Sequence, residues 1–103
     1  MTDEARELEL YVMNDKPSYD HFLACVKNAR RRMEKKEYHS RLAIRLFLYV
    51  ADAAALRYTR EHCEHTAVWY RVFPKAARIE AAEAIRDQFE EENALGNYDT
   101  WSQ

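Results

Sequence analysis

Only one glycine, Gly96, and two prolines, Pro17 and Pro74, interrupt this chain of 103 residues. Sheets joined by tight turns need glycine, proline and asparagine at many places, because the favoured turns demand a positive or a fixed φ. A chain with so few of them is expected to be helical. Its hydrophobic content of 48% suits a folded protein, and a chain of this length buries roughly 60–70% of its extended surface without disulfide or metal staples. The expectation is all-α: a compact four-helix bundle-like single domain over residues 1–96, with a polar and aromatic C-terminal tail over 97–103.

Apolar spacing places the helices. Thr2 is a good N-cap, Asp3 and Glu4 suit the positive end of a helix dipole, and Ala5, Leu8 and Val12 fall on one face, with Asn14 as the last residue. Asp15 or Ser18 caps a second helix whose stripe is Phe22, Val26, Ala29 and Met33, ending near Lys36. A third begins near Ser40. Its apolar set of Leu42, Ala43, Leu46, Phe47, Val50, Ala51, Ala54 and Tyr58 covers more than half its circumference, which makes it the central helix. Its polar stripe is Arg41, Arg45, Asp52 and Thr59, and Asp52 is expected to be solvated near Arg45. Periodicity is lost between His62 and Pro74, so a loop is expected to carry Trp69, Tyr70 and Phe73. Pro74 suits the first turn of a fourth helix that buries Ala77, Ala81, Ala82, Ile85 and Phe89, with Gly96 as its stop.

Charge is laid out in blocks. Residues 1–26 have a net charge of −4, residues 27–75 of +7 and residues 76–103 of −5, so the total of −2 hides a basic middle between acidic ends. Segregation of this kind predicts a polar partner surface or internal pairing. It can be satisfied within one chain or between two, which leaves homodimerisation open. Thr2-Asp3-Glu4 lacks the positive charge and apolar stretch of a secretory signal, and Leu46–Ala51 is too short to span a bilayer. A cytoplasmic protein with no membrane partner is expected, with Cys25 and Cys63 as free thiols.

Within the basic middle, Lys27, Arg30, Arg31, Arg32, Lys35 and Lys36 occupy every direction except the apolar stripe of the second helix. Such a surface can track phosphates, and five or six contacts to DNA would give a log–log salt slope of about −5. The plainer alternative is a solvated face that partly neutralises the acidic fourth helix. Tyr38 is the only nearby aromatic that could stack on a base. His62 and His65 stand three apart in Glu61-His62-Cys63-Glu64-His65, a spacing that could aim both imidazoles at one zinc ion. A frayed polar helix end explains the same residues, and neither a metal site nor a cofactor is assigned. Catalysis is not expected: the serines sit in cap or tail positions, and one glycine cannot build a phosphate cradle. Glu80, Glu83, Asp87, Glu90, Glu91 and Glu92 line the wet side of the fourth helix, where regular carboxylates can also imitate DNA phosphates. Tyr70, Tyr98, Trp69 and Trp101 lie outside the strong stripes and are candidate contact rings.

Tyr11, Asn14-Asp15, Tyr19, Tyr38 ahead of Leu42-Ala43, Ala53-Ala54, Tyr58, Glu61, Trp69, Phe73, Arg78 and Ala82 form a pattern that resembles a group of small proteins carried by bacteriophages and plasmids. That group tends to have glycine just before the tyrosine that opens the long helix, where this chain has Glu37. The resemblance implies a mobile-element setting, in which small non-enzymatic proteins bind and block one host protein, as anti-CRISPR and anti-restriction proteins do; the step is analogy. The expected function is therefore a non-enzymatic protein-binding module, a phage inhibitor that covers a site on a host protein or nucleoprotein complex. Arg30, Arg31, Lys35, Trp69, Glu83, Asp87 and Glu90 are its expected contact residues. The alternative is a small nucleic-acid-binding or regulatory protein that uses the basic helix.

Overall fold

A computed structural model describes residues 1–63 and 68–92. The first helix, α1, is Asp3–Asn14, and the Thr2 hydroxyl accepts the Ala5 N–H at 3.2 Å as its N-cap. A single residue, Asp15, both ends α1 and starts α2, Lys16–Glu34. Its N–H donates to the Tyr11 carbonyl at 2.8 Å, while its carboxylate accepts the Ser18 N–H at 3.2 Å and the Ser18 hydroxyl at 2.7 Å. That double use makes the corner sharp. Central α3 is Ser40–His62, and His39 is its N-cap through Nδ1, which accepts the Leu42 N–H at 3.3 Å.

The segment expected to be a loop contains one helical turn, α4, Trp69–Val72. It is held because the Phe73 N–H returns to the Trp69 carbonyl at 3.0 Å and the Phe73 ring is buried. Last comes α5, Lys75–Glu92; Pro74 stands just before it and accepts the Arg78 N–H at 3.0 Å. The second helix stops two residues before Lys36, because Lys36 takes the left-handed conformation. Gly96 and the tail lie outside the described residues. The fold is an all-α bundle-like domain, with five helices among the described residues.

The core sits around α3, which packs against each of the other helices. Phe22 meets Phe47 at 6.1 Å and Phe47 meets Phe89 at 5.6 Å, so one ring of α3 is clasped between α2 and α5. Both neighbours run antiparallel to α3, since Asp15 faces Arg57 and Arg78 faces Asp52. Helix α1 lies across this layer. Glu7, Tyr11 and Asp15, on successive turns, all converge on Arg57 and Tyr58. Ala51, Ala54 and Ala55 on α3 and Ala81 and Ala82 on α5 are fully buried, and their small side chains let the backbones approach. No helix among the described residues is long and apolar enough to cross a membrane.

Two positions on α3 depart from the expected wet stripe. Thr59 is fully buried, and its hydroxyl donates to the Ala55 carbonyl at 2.8 Å. That bond satisfies the group inside its own helix, so burial leaves no polar atom unpaired. Asp52 is half-buried and pairs with Arg78, not with Arg45; the Arg78 Nη1–Asp52 Oδ1 distance is 2.8 Å.

Candidate binding surface

The basic surface is shaped by how α2 ends. Lys36 has φ 59°, the left-handed conformation. The Glu37 N–H reaches back to the Arg32 carbonyl at 2.8 Å and the Lys36 N–H to the Met33 carbonyl at 3.0 Å. These two bonds are a Schellman cap, whose left-handed position ordinarily takes glycine. The chain therefore turns sharply and brings the start of α3 beside the end of α2. Arg41 and Arg45, both exposed, then continue the positive surface of Lys27, Arg30, Arg31, Arg32, Lys35 and Lys36, all of which are also exposed. Arg32 pairs with Glu37 at 3.4 Å, both partners open to solvent. The side chains of Lys27, Arg31, Lys35, Lys36, Arg41 and Arg45 make no ion pair or hydrogen bond among the described residues.

Two shallow depressions lie along this side. One is lined by Ala24, Asn28, Arg31, Arg32, Lys35 and Glu37. The other is lined by His21, Ala24, Cys25, Asn28, Leu46 and Tyr49. They share Ala24 and Asn28, so the two adjoin as a furrow along α2, lined by cations toward the α2 C-terminal end and walled by Leu46 and Tyr49 of α3 at the other. Tyr38, expected to be available for stacking, is not: its ring is buried against Phe89 at 5.9 Å and its hydroxyl donates to Glu90 at 2.9 Å. The exposed ring is Tyr49, 69% accessible. Sequence reasoning missed it, although its place outside the apolar stripe of α3 was a signal.

The expected contact residues fall into three places. Arg30, Arg31 and Lys35 belong to the basic surface. Glu83 and Asp87 are exposed on α5, with Arg86 donating to Asp87 at 3.0 Å, and Glu90 is half-buried as the acceptor for Tyr38. Trp69 is half-buried in α4, packs on the core and carries the Arg78 guanidinium 4.6 Å above its ring. It lies by Asp52 and Arg78, away from the basic surface at the start of α3.

Elsewhere, polar and aromatic groups gather where α1 crosses α3. The Tyr58 hydroxyl donates to Glu7, and that bond together with burial pushes Tyr58 up to about 12. Burial, then the nearby carboxylates of Glu61 and Asp15, raises Tyr11 to about 12 as well. His62 packs its ring at 4.4 Å from that of Tyr58. Glu64 and His65 lie outside the described residues, and no cluster of three or more metal-ligating side chains occurs among the described ones. Cys25 and Cys63 are free thiols, and burial pushes Cys25 up to about 12.

Comparison with family models, with curated proteins and with solved structures finds no match for this chain. What the arrangement can do thus follows from its own chemistry. Exposed cations on two adjacent helices attract a polyanion, and exposed carboxylates on α5 attract a basic surface.

Proposed function

We propose that this chain is a non-enzymatic binding module that covers a site on a larger protein or nucleoprotein partner through its charged helical faces. One observation carries the reading. Exposed cations, among them Lys27, Arg31, Lys35, Arg41 and Arg45 whose side chains have no ion pair among the described residues, stand on α2 and the first turns of α3, while exposed carboxylates stand on α5. Exposed opposite charges on different helices give a partner two signs to match, which favours specificity and fast association. The resemblance to phage- and plasmid-borne helical proteins directs the reading toward inhibition of a host defence complex. A tagged pull-down from bacterial lysate, run with and without nuclease, tests it. One complex retained in stoichiometric amount after nuclease, and lost on charge reversal of Glu83 and Asp87 or of Arg31 and Lys35, supports the module; retention of nothing specific overturns it.

A second reading, direct nucleic-acid binding, is favoured by the side chains of Lys27, Arg31, Lys35 and Lys36, exposed and unpaired among the described residues, and by their continuation into Arg41 and Arg45. In that case the retained proteins vanish with nuclease, and purified protein binds DNA with a steep dependence on salt.

A further inference from the structure

We infer that the furrow along α2, walled by α3 at one end, is a binding site for single-stranded nucleic acid, with phosphates along Arg31, Arg32 and Lys35 and a base stacked on Tyr49. The inference rests on the nucleic-acid reading of the basic surface and names its ligand. Sequence-tolerant recognition of single strands combines a cationic track for the backbone with an aromatic face for an unpaired base. The furrow has both in two adjoining depressions that share Ala24 and Asn28. Ala24 and Lys35 are eleven residues apart on one helix, a rise of about 16 Å, enough for a short stretch of strand.

The two walls differ in chemistry in the way a nucleotide does. Tyr49 and Leu46 come from α3, and His21, Ala24 and Asn28 from α2, so a planar apolar ring meets an aromatic and an aliphatic side chain with an amide beside them. Tyr49 is 69% exposed, which makes its face available, and no ring contact of Tyr49 occurs among the described residues. A duplex keeps its bases stacked inside and cannot offer one to Tyr49. The furrow is therefore selective for an unpaired strand, whereas the outer cations Lys27, Lys36, Arg41 and Arg45 attract any polyanion.

One acid opposes the ligand. Glu37 lines the cationic end and holds Arg32 at 3.4 Å. An entering phosphate takes its place, so removing the carboxylate frees a cation and strengthens binding.

Fluorescence anisotropy with a labelled oligothymidylate, and with a duplex of matched length, tests the inference on the full chain. The strand is expected to bind more tightly than the duplex, with a log–log salt slope of about −2 for three phosphate contacts. Tyr49→Ala is expected to weaken strand binding about ten-fold and leave duplex binding unchanged, while Tyr49→Phe keeps both. Arg31→Glu with Lys35→Glu abolishes strand binding, and Glu37→Gln tightens it. All these side chains are exposed, so unchanged circular dichroism separates lost contacts from lost fold. Equal binding of strand and duplex with no effect of Tyr49→Ala overturns the furrow while the nucleic-acid reading stands. Binding of neither overturns both.

Discussion

Arg57 holds Asp15 with two hydrogen bonds, Nε to Oδ2 at 2.8 Å and Nη2 to Oδ1 at 3.3 Å, across 42 residues of sequence. The carboxylate that caps α2 is thus the same one that anchors α3, and Arg57 extends the contact to Glu61 at 3.4 Å. One acidic side chain caps the α1–α2 corner and ties it to the central helix. Local and long-range structure share a single group.

That sharing predicts acid sensitivity at one residue. The Arg57 hydrogen bond, helped by Ser18, lowers Asp15 from 3.8 to about 2. Its folded-state value lies below its unfolded one, so its stabilisation is complete above about pH 4 and is lost as pH falls from about 4 to about 2. With allowance for solvent screening of Arg57, the contribution is about 1–2 kcal/mol. Urea denaturation of wild type and Asp15→Asn at a series of pH values checks this. The variant is expected to be the less stable at neutral pH, with a difference that shrinks toward pH 2. A constant difference would place the contribution elsewhere.

Arg78 ties three elements together. Its Nη1 donates to Asp52 on α3 at 2.8 Å, its Nε to the Phe73 carbonyl at 2.9 Å, and its guanidinium lies over Trp69. Arg78→Ala is expected to destabilise by about 2–3 kcal/mol, because it strands a half-buried carboxylate and a carbonyl together. Arg78→Lys keeps the charge but not the fork or the planar stacking face, and is expected to recover less than half of that. Thermal unfolding of the three proteins gives the comparison, and full rescue by lysine would reduce the contact to simple charge pairing.

Tyr38 separates packing from hydrogen bonding. Tyr38→Phe removes the bond to Glu90 while keeping the ring, and is expected to destabilise by about 1 kcal/mol. Tyr38→Ala also empties the space against Phe89, for a loss of about 3–5 kcal/mol. Chemical denaturation midpoints distinguish the two. Near-equal losses would show that the ring contributes little.

What the sequence made legible is what short-range chemistry decides. Thr2, Asp15, Ala5, Leu8, Val12 and the α5 stripe all stand where cap preference and helical spacing place them, because each depends on neighbours within two turns. The Asp15–Arg57, Asp52–Arg78 and Tyr38–Glu90 pairs were not legible, since their partners lie 42, 26 and 52 residues apart and no periodicity connects them. Thr59 shows the weakness of a helical wheel: its hydroxyl serves its own backbone and then buries like an apolar group. For the candidate site, the cations of α2 were plain from composition alone. The furrow was not, because it needs α3 laid beside α2, and that depends on a left-handed residue which is not glycine.

Lys36 is where stability and binding pull in opposite directions. An L-residue in the left-handed region is disfavoured by roughly 1–2 kcal/mol, and the Schellman position is the one that glycine fills without strain. Lys36→Gly is expected to stabilise the protein by about 0.5–1 kcal/mol, part of the relief being returned to the greater freedom of glycine in the unfolded chain. The same change removes an exposed cation from the basic surface. Nucleic-acid affinity is then expected to fall, with the salt slope shallower by about one for a duplex. Urea melts and anisotropy titrations of one purified variant read both effects. A variant that is more stable and binds equally well would leave the lysine without a role; one that is less stable would mean that Lys36 is held by contacts worth more than its strain.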